Sequence, residues 1–131
     1  MEKSKLLLII DPQIDFISGS LPVPHAAEAM SGLAEYMEKH GKNYAAIVAT
    51  TDWHPYHHCS FAAEGGPWPL HCVQNSVGAA IPDRLLAACN KAGAPFTVLR
   101  KGNSAHREEY SIMQNAPSAT TLDGIIRSSG I

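Results

Sequence analysis

Three short apolar runs, each stopping at a charged residue, constrain the fold more than any other feature of the chain. Lys5 to Ile10 reads KLLLII and ends at Asp11-Pro12; Tyr44 to Thr50 reads YAAIVAT and stops just short of Asp52; Phe96 to Leu99 reads FTVL and stops just short of Lys101. Runs this short and continuous read as strands buried on both faces. Helical spacing separates them. Ala26, Met30, Leu33 and Met37 share one helical face, with Gly41 as a stop. Pro82 opens a second helix through Leu85, Leu86 and Cys89, which Gly93 ends. Thr120 or Thr121 is placed to cap a last helix through Leu122, Ile125 and Ile126, with Gly130 just beyond it. The order βαβαβα predicts an α/β domain over residues 1–131: a parallel sheet with helices on both faces.

In such sheets the site lies beyond the carboxyl ends of the strands. Asp11, Asp52 and Lys101 stand at three strand ends and are thus delivered to one edge. The segment from Thr51 to Ala80 is long, irregular and rich in Gly, Pro and His, and loops of that length are usually functional. Within it, Asp52 and His54 form a D-x-H pair, which an extended backbone turns to one face. His71 can return to them through the loop. Two imidazoles and a carboxylate leave open positions, as in catalytic zinc or iron sites. His57, His58 and Glu64 are further candidates nearby. If Lys101 sits by Asp11, the carboxylate can take a thiol proton while the ammonium stabilises developing negative charge. Phe16, Trp68 and Tyr110 offer a flat apolar slot for a ring. Plainer roles stand beside these: an Asx turn for Asp11, a solvated Lys101, core or lid packing for the aromatics.

Net charge is −2, with no basic run. This argues against nucleic acid or an anionic membrane as partner. The run Leu6 to Ile10 is far short of the ~20 residues a membrane span needs, and it lacks the flanks of a signal peptide. The expected location is cytoplasmic, the expected partner a small molecule, and a homo-oligomer stays open. Three cysteines, Cys59, Cys72 and Cys89, are an odd number, which argues against a disulfide framework.

Four segments carry a family resemblance. IIDPQIDF (Ile9 to Phe16) is similar to the opening D-x-Q-x-D-F of the nicotinamidase/pyrazinamidase branch of the isochorismatase-like cysteine hydrolases. The stretch from Asp52 to Phe61 resembles that branch's D-W-H-P-x-x-H-x-S-F, and GPWPLHCVQNSVGA (Gly66 to Ala79) resembles W-P-x-H-C-V-x-x-x-x-G-A. RKGNSAHREEYS (Arg100 to Ser111) resembles a K-G…Y-S segment. The resemblance implies a three-layer α/β/α fold and hydrolysis of nicotinamide to nicotinate and ammonia through a cysteine thioester. It implies Asp11 as general base, with Lys101 completing the triad. It implies Asp52, His54 and His71 as ligands of a divalent metal, zinc first and iron or manganese as alternatives, that holds the pyridine ring. Glu64 matches a fourth ligand of some members, and His58 a ligand of others. Phe16, Trp68 and Tyr110 match the aromatic residues around the ring.

The pattern is broken at one point. The family's nucleophile lies in a segment like G-x-x-x-D-x-C-V after a fourth strand, and these residues contain none. The expectation is a domain missing its C-terminal βα units, with no nucleophile among the three cysteines. Two other readings stay open: a hydrolase of a different small amide, or a non-catalytic metal- or pyridine-binding remnant.

Overall fold

The computed structural model describes residues 3–131. The three apolar runs form strands β1 (Leu6–Ile10), β2 (Ala46–Asp52) and β3 (Phe96–Lys101). All pair in parallel, in the order β1-β2-β3. The middle strand is buried along its whole length, which its small and β-branched residues permit. A short helix α1 (Ile14–Ile17), which periodicity does not reveal, follows the end of β1. On one face of the sheet Ile9, Ile47 and Ala49 meet Ala34 and Met37 of helix α2 (Ala26–His40) and Leu85, Ala88 and Cys89 of α3 (Asp83–Lys91). On the other, Val48 and Leu99 meet Ile112 and Leu122, the latter from α4 (Ala116–Ser128). The expected three-layer arrangement is borne out. Helix α4 covers the β2–β3 side of its face and leaves Leu8 and Ile10 of β1 exposed.

One boundary differs clearly from the sequence reading. Helix α4 begins at Ala116, not at Thr120 or Thr121. Asn115 caps it by accepting a hydrogen bond from the Ser118 N–H, and Pro117 sits in the first turn, where its missing N–H costs no bond. Thr121 instead donates its hydroxyl to the Pro117 carbonyl inside the helix.

Strand register decides which charged residues meet. Thr50 lies between Ile10 and Leu99, and Asp52 lies opposite Lys101. Both charged residues are the last of their strands rather than just past them.

Candidate active site

Lys101 is 2% exposed, and a buried ammonium demands anionic partners. It has two. Its Nζ donates to both oxygens of Asp11 at 2.7 and 2.8 Å, and to Asp52 Oδ1 at 2.8 Å. Burial pulls the Lys101 ammonium down, but Asp52 and Asp11 outweigh it and hold it above its ordinary value. Asp11 adopts a left-handed backbone, φ 52°, uncommon outside glycine. Thr50 fixes it there: its carbonyl accepts from the Asp11 N–H, and its hydroxyl donates to Asp11 Oδ1.

The other oxygen of Asp52 serves a different group. Oδ2 lies 3.5 Å from His54 Nε2 and 3.7 Å from His71 Nε2. These exceed the roughly 2.7–3.2 Å of an N–H···O hydrogen bond. They suit three ligands around a common centre, since bonds of ~2.1 Å in a tetrahedron set ligands about 3.4 Å apart. The ring nitrogens agree. His54 Nδ1–H donates to the Gly102 carbonyl at 2.8 Å, and His71 Nδ1–H to the Pro69 carbonyl at 2.7 Å. Each ring therefore carries a proton on Nδ1 and turns Nε2 inward toward Asp52, the atom that metal-binding histidines offer. Burial would raise the Asp52 carboxyl, but His54, His71 and Lys101 hold it well below the usual range. Asp52, His54 and His71 are all buried, and a ligand atom of each lies within 4.8 Å of the others. They fit a divalent ion.

Each of the three is held by its own clamp. Gln13, fully buried, donates its amide to the Asp52 and Ala79 carbonyls and accepts from the Asp52 N–H. Asp15 accepts from the Cys72 N–H at 2.8 Å, fixing the turn beside His71. Phe61, 1% exposed, stands edge-on to both ligand rings, 5.5 Å from His54 and 5.4 Å from His71. Glu109 accepts from the Gly102 N–H. Residue chemistry alone does not single out Gln13, Phe61 or Glu109, although all three sit inside the matched segments. By residue chemistry Asp15 reads as a turn or cap carboxylate, although it too is a position of the D-x-Q-x-D-F segment.

The other two metal-ligand candidates, His58 and Glu64, fall outside the Asp52–His54–His71 group. His58 stacks on His54 with ring centroids 4.0 Å apart. Both its nitrogens are engaged: Nδ1 accepts from the Ser60 N–H, and Nε2–H donates to the Arg107 carbonyl. Burial and His54 push the His58 imidazole below its ordinary value. Glu64 pairs with the exposed His57 at 2.9 Å, outside the Asp52–His54–His71 group. Phe16, Trp68 and Tyr110 line a cavity of about 200 Å³ together with Asp11, Asp52, His71, Lys101 and Leu21. Of the cysteines, Cys72 is pushed far up by burial and by Asp52, Asp15 and Asp11, and burial pushes Cys89 up to about 11.

No family model matches the chain. Individual relatives do. The nicotinamidase of Saccharomyces cerevisiae is 32% identical over 82% of this chain and 61% of its own length. That of Escherichia coli is 31% identical over 94% and 64%. The chain thus spans about three-fifths of the length of these curated relatives. Among solved structures, a pyrazinamidase of Pyrococcus horikoshii in complex with zinc superimposes with a TM-score of 0.74, at 36% identity over 92% of this chain and 64% of its own. An L. infantum protein in complex with nicotinate gives 0.81, at 37% identity over 95% and 61%. The fold and site define an α/β protein whose parallel sheet gathers carboxylates, a lysine and imidazoles at its carboxyl edge. The chain belongs to the nicotinamidase/isochorismatase-like family.

Proposed function

We propose that this chain supplies the acid–base pair and metal centre of an amidohydrolase that converts nicotinamide to nicotinate and ammonia. The observation that carries the reading is the sharing of Lys101 between Asp11 and Asp52, which sets an acid–base pair against a metal-binding group in one cavity. That cavity is small beside the roughly 300–1,000 Å³ of drug-sized pockets, and its Phe16, Trp68 and Tyr110 suit a single flat ring. Relatives of the same family have been solved with zinc and with nicotinate.

Asp52, His54 and His71 would hold a divalent ion, zinc first, which supplies a Lewis-acidic anchor for the ring nitrogen. Asp11 takes the proton of a thiol as its sulfur adds to the carboxamide carbon and returns that proton to the departing ammonia; water then cleaves the resulting thioester, releasing nicotinate and restoring the thiol. Lys101 holds both oxygens of Asp11 and offsets the negative charge that develops nearby. None of Cys59, Cys72 and Cys89 is the nucleophile in this reading: two are buried with raised pKa values, the opposite of a poised thiolate. The substrate is a small molecule; nucleic acid and membrane play no part. Among the described residues no helix is long and apolar enough to cross a membrane.

The test has two arms. The 131-residue chain should bind one equivalent of zinc by elemental analysis, and Asp52→Ala with His54→Ala should abolish it; metal retained at one equivalent would refute the site. The same chain should release no ammonia from nicotinamide, and robust turnover would show that one of its three cysteines attacks after all.

A further inference from the structure

We infer that Glu109 is a positioning residue for the metal ligand His54, acting through the backbone of Gly102. The inference rests on the metal reading of Asp52, His54 and His71.

Glu109 is 4% exposed. A carboxylate that deep is costly unless its oxygens are occupied. Among the described residues, the cation within ion-pair distance is Arg107, largely solvent-exposed and 3.5 Å away. The partners of Glu109 at hydrogen-bond distance are instead two neutral donors. Oε1 accepts from the Gly102 N–H at 2.8 Å and from Asn115 Nδ2 at 3.0 Å. Asn115 is the cap of α4 and also donates to Asn103 Oδ1. Gly102, in turn, has φ +68° and offers its carbonyl to His54 Nδ1–H. The connection therefore runs from the head of α4, through Glu109, to the residue that sets the His54 tautomer.

The physical consequence is directional. Glycine is free to leave the left-handed region, and a buried N–H without an acceptor drives it to do so. Glu109 removes that drive. With Gly102 held, its carbonyl faces Nδ1, the proton stays there, and Nε2 remains free for a ligand bond. Loss of such outer partners typically weakens metal binding about 10–100-fold.

Glu109→Ala should weaken zinc binding about 10–100-fold in competition with a chromophoric chelator. In the metal-free variant, long-range ¹H–¹⁵N spectra should show His54 shifting from the Nδ1–H form to a mixture. Glu109→Gln should behave nearly as wild type, because its amide oxygen can accept both bonds. If Glu109→Ala does not fold, Glu109→Asp serves in its place, drawing the acceptor back by about 1.5 Å. A residue that only anchored the loop would lower the melting temperature while leaving the His54 tautomer and zinc affinity unmoved, and that result would overturn the inference. A wild-type chain without zinc affinity would overturn the metal reading, whereas the metal-free tautomer judges Glu109 alone.

Discussion

The His54 ring lies so close over Gly102 that a Cβ at that glycine would stand 2.4 Å from His54 Cε1. Backbone and ligand are fitted to each other without a spare methyl's width.

Gly102→Ala should therefore be among the most damaging single-methyl changes in the chain. The left-handed backbone alone costs an alanine about 1–2 kcal/mol, and the ring must also move. Urea unfolding should show a loss of at least that size, with zinc affinity falling in parallel. An alanine variant of unchanged stability and metal content would contradict the geometry.

Lys101→Met should cost about 3–5 kcal/mol, the usual penalty for breaking a buried ion pair from one side. The variant leaves the Asp11 and Asp52 carboxylates facing each other across an apolar side chain. Equilibrium denaturation measures it; a loss under about 1 kcal/mol, the scale of an exposed pair, would mean that the ammonium is not bearing both charges.

Thiol chemistry should rank the three cysteines by burial. Cys59 is half-buried, whereas Cys72 and Cys89 are buried. With the Cys89 thiol pushed up to about 11, roughly one in a thousand is thiolate at about pH 8, and the thiolate is the reactive form. Iodoacetamide at that pH, read by mass spectrometry of peptides, should label Cys59 first and the other two only on unfolding. Equal rates at Cys59 and Cys89 would contradict this order.

Alkaline pH should loosen the contact between the end of α2 and Tyr44, just before β2. The Tyr36 and Tyr44 hydroxyls lie 2.6 Å apart, and this bond, with a little burial, raises the Tyr44 phenol above its ordinary value. A raised value means that the fold prefers the neutral form. The contribution is complete below about pH 10, the ordinary phenol value, and is lost as pH rises through the folded value. Ultraviolet absorbance titration of the phenolates should show one late-ionising tyrosine, and Tyr36→Phe should bring it back; an unchanged curve in that variant would show that Tyr36 is not the cause.

The strands were legible because KLLLII, YAAIVAT and FTVL are continuous apolar runs with no alternation to confuse. The burial on both faces read from them holds for β2 alone: as outer strands, β1 exposes Leu8 and Ile10 and β3 exposes Val98. The placement of Asp11, Asp52 and Lys101 at one edge followed from parallel order alone. The Asp52–His54–His71 gathering was legible as D-x-H plus a returning histidine. The start of α4 was not, since Asn115, Pro117 and Ser118 read locally as loop, and only the Asn115 cap makes them helix. Gln13 and Glu109 escaped for another reason. Their function is to hold backbone groups of distant segments, and no periodicity or motif spacing encodes a bond from Gln13 to Asp52, 39 residues away.

The two oxygens of Asp52 point to separate tasks, Oδ1 to Lys101 and Oδ2 to the imidazoles. Mutagenesis at this position is consequently confounded: any replacement withdraws a counter-ion and a ligand in the same stroke, and a lost activity would not say which was missed. Dissecting the two roles calls for perturbing the neighbours instead, Lys101 for the one and His71 for the other, with the carboxylate left untouched as their common reference.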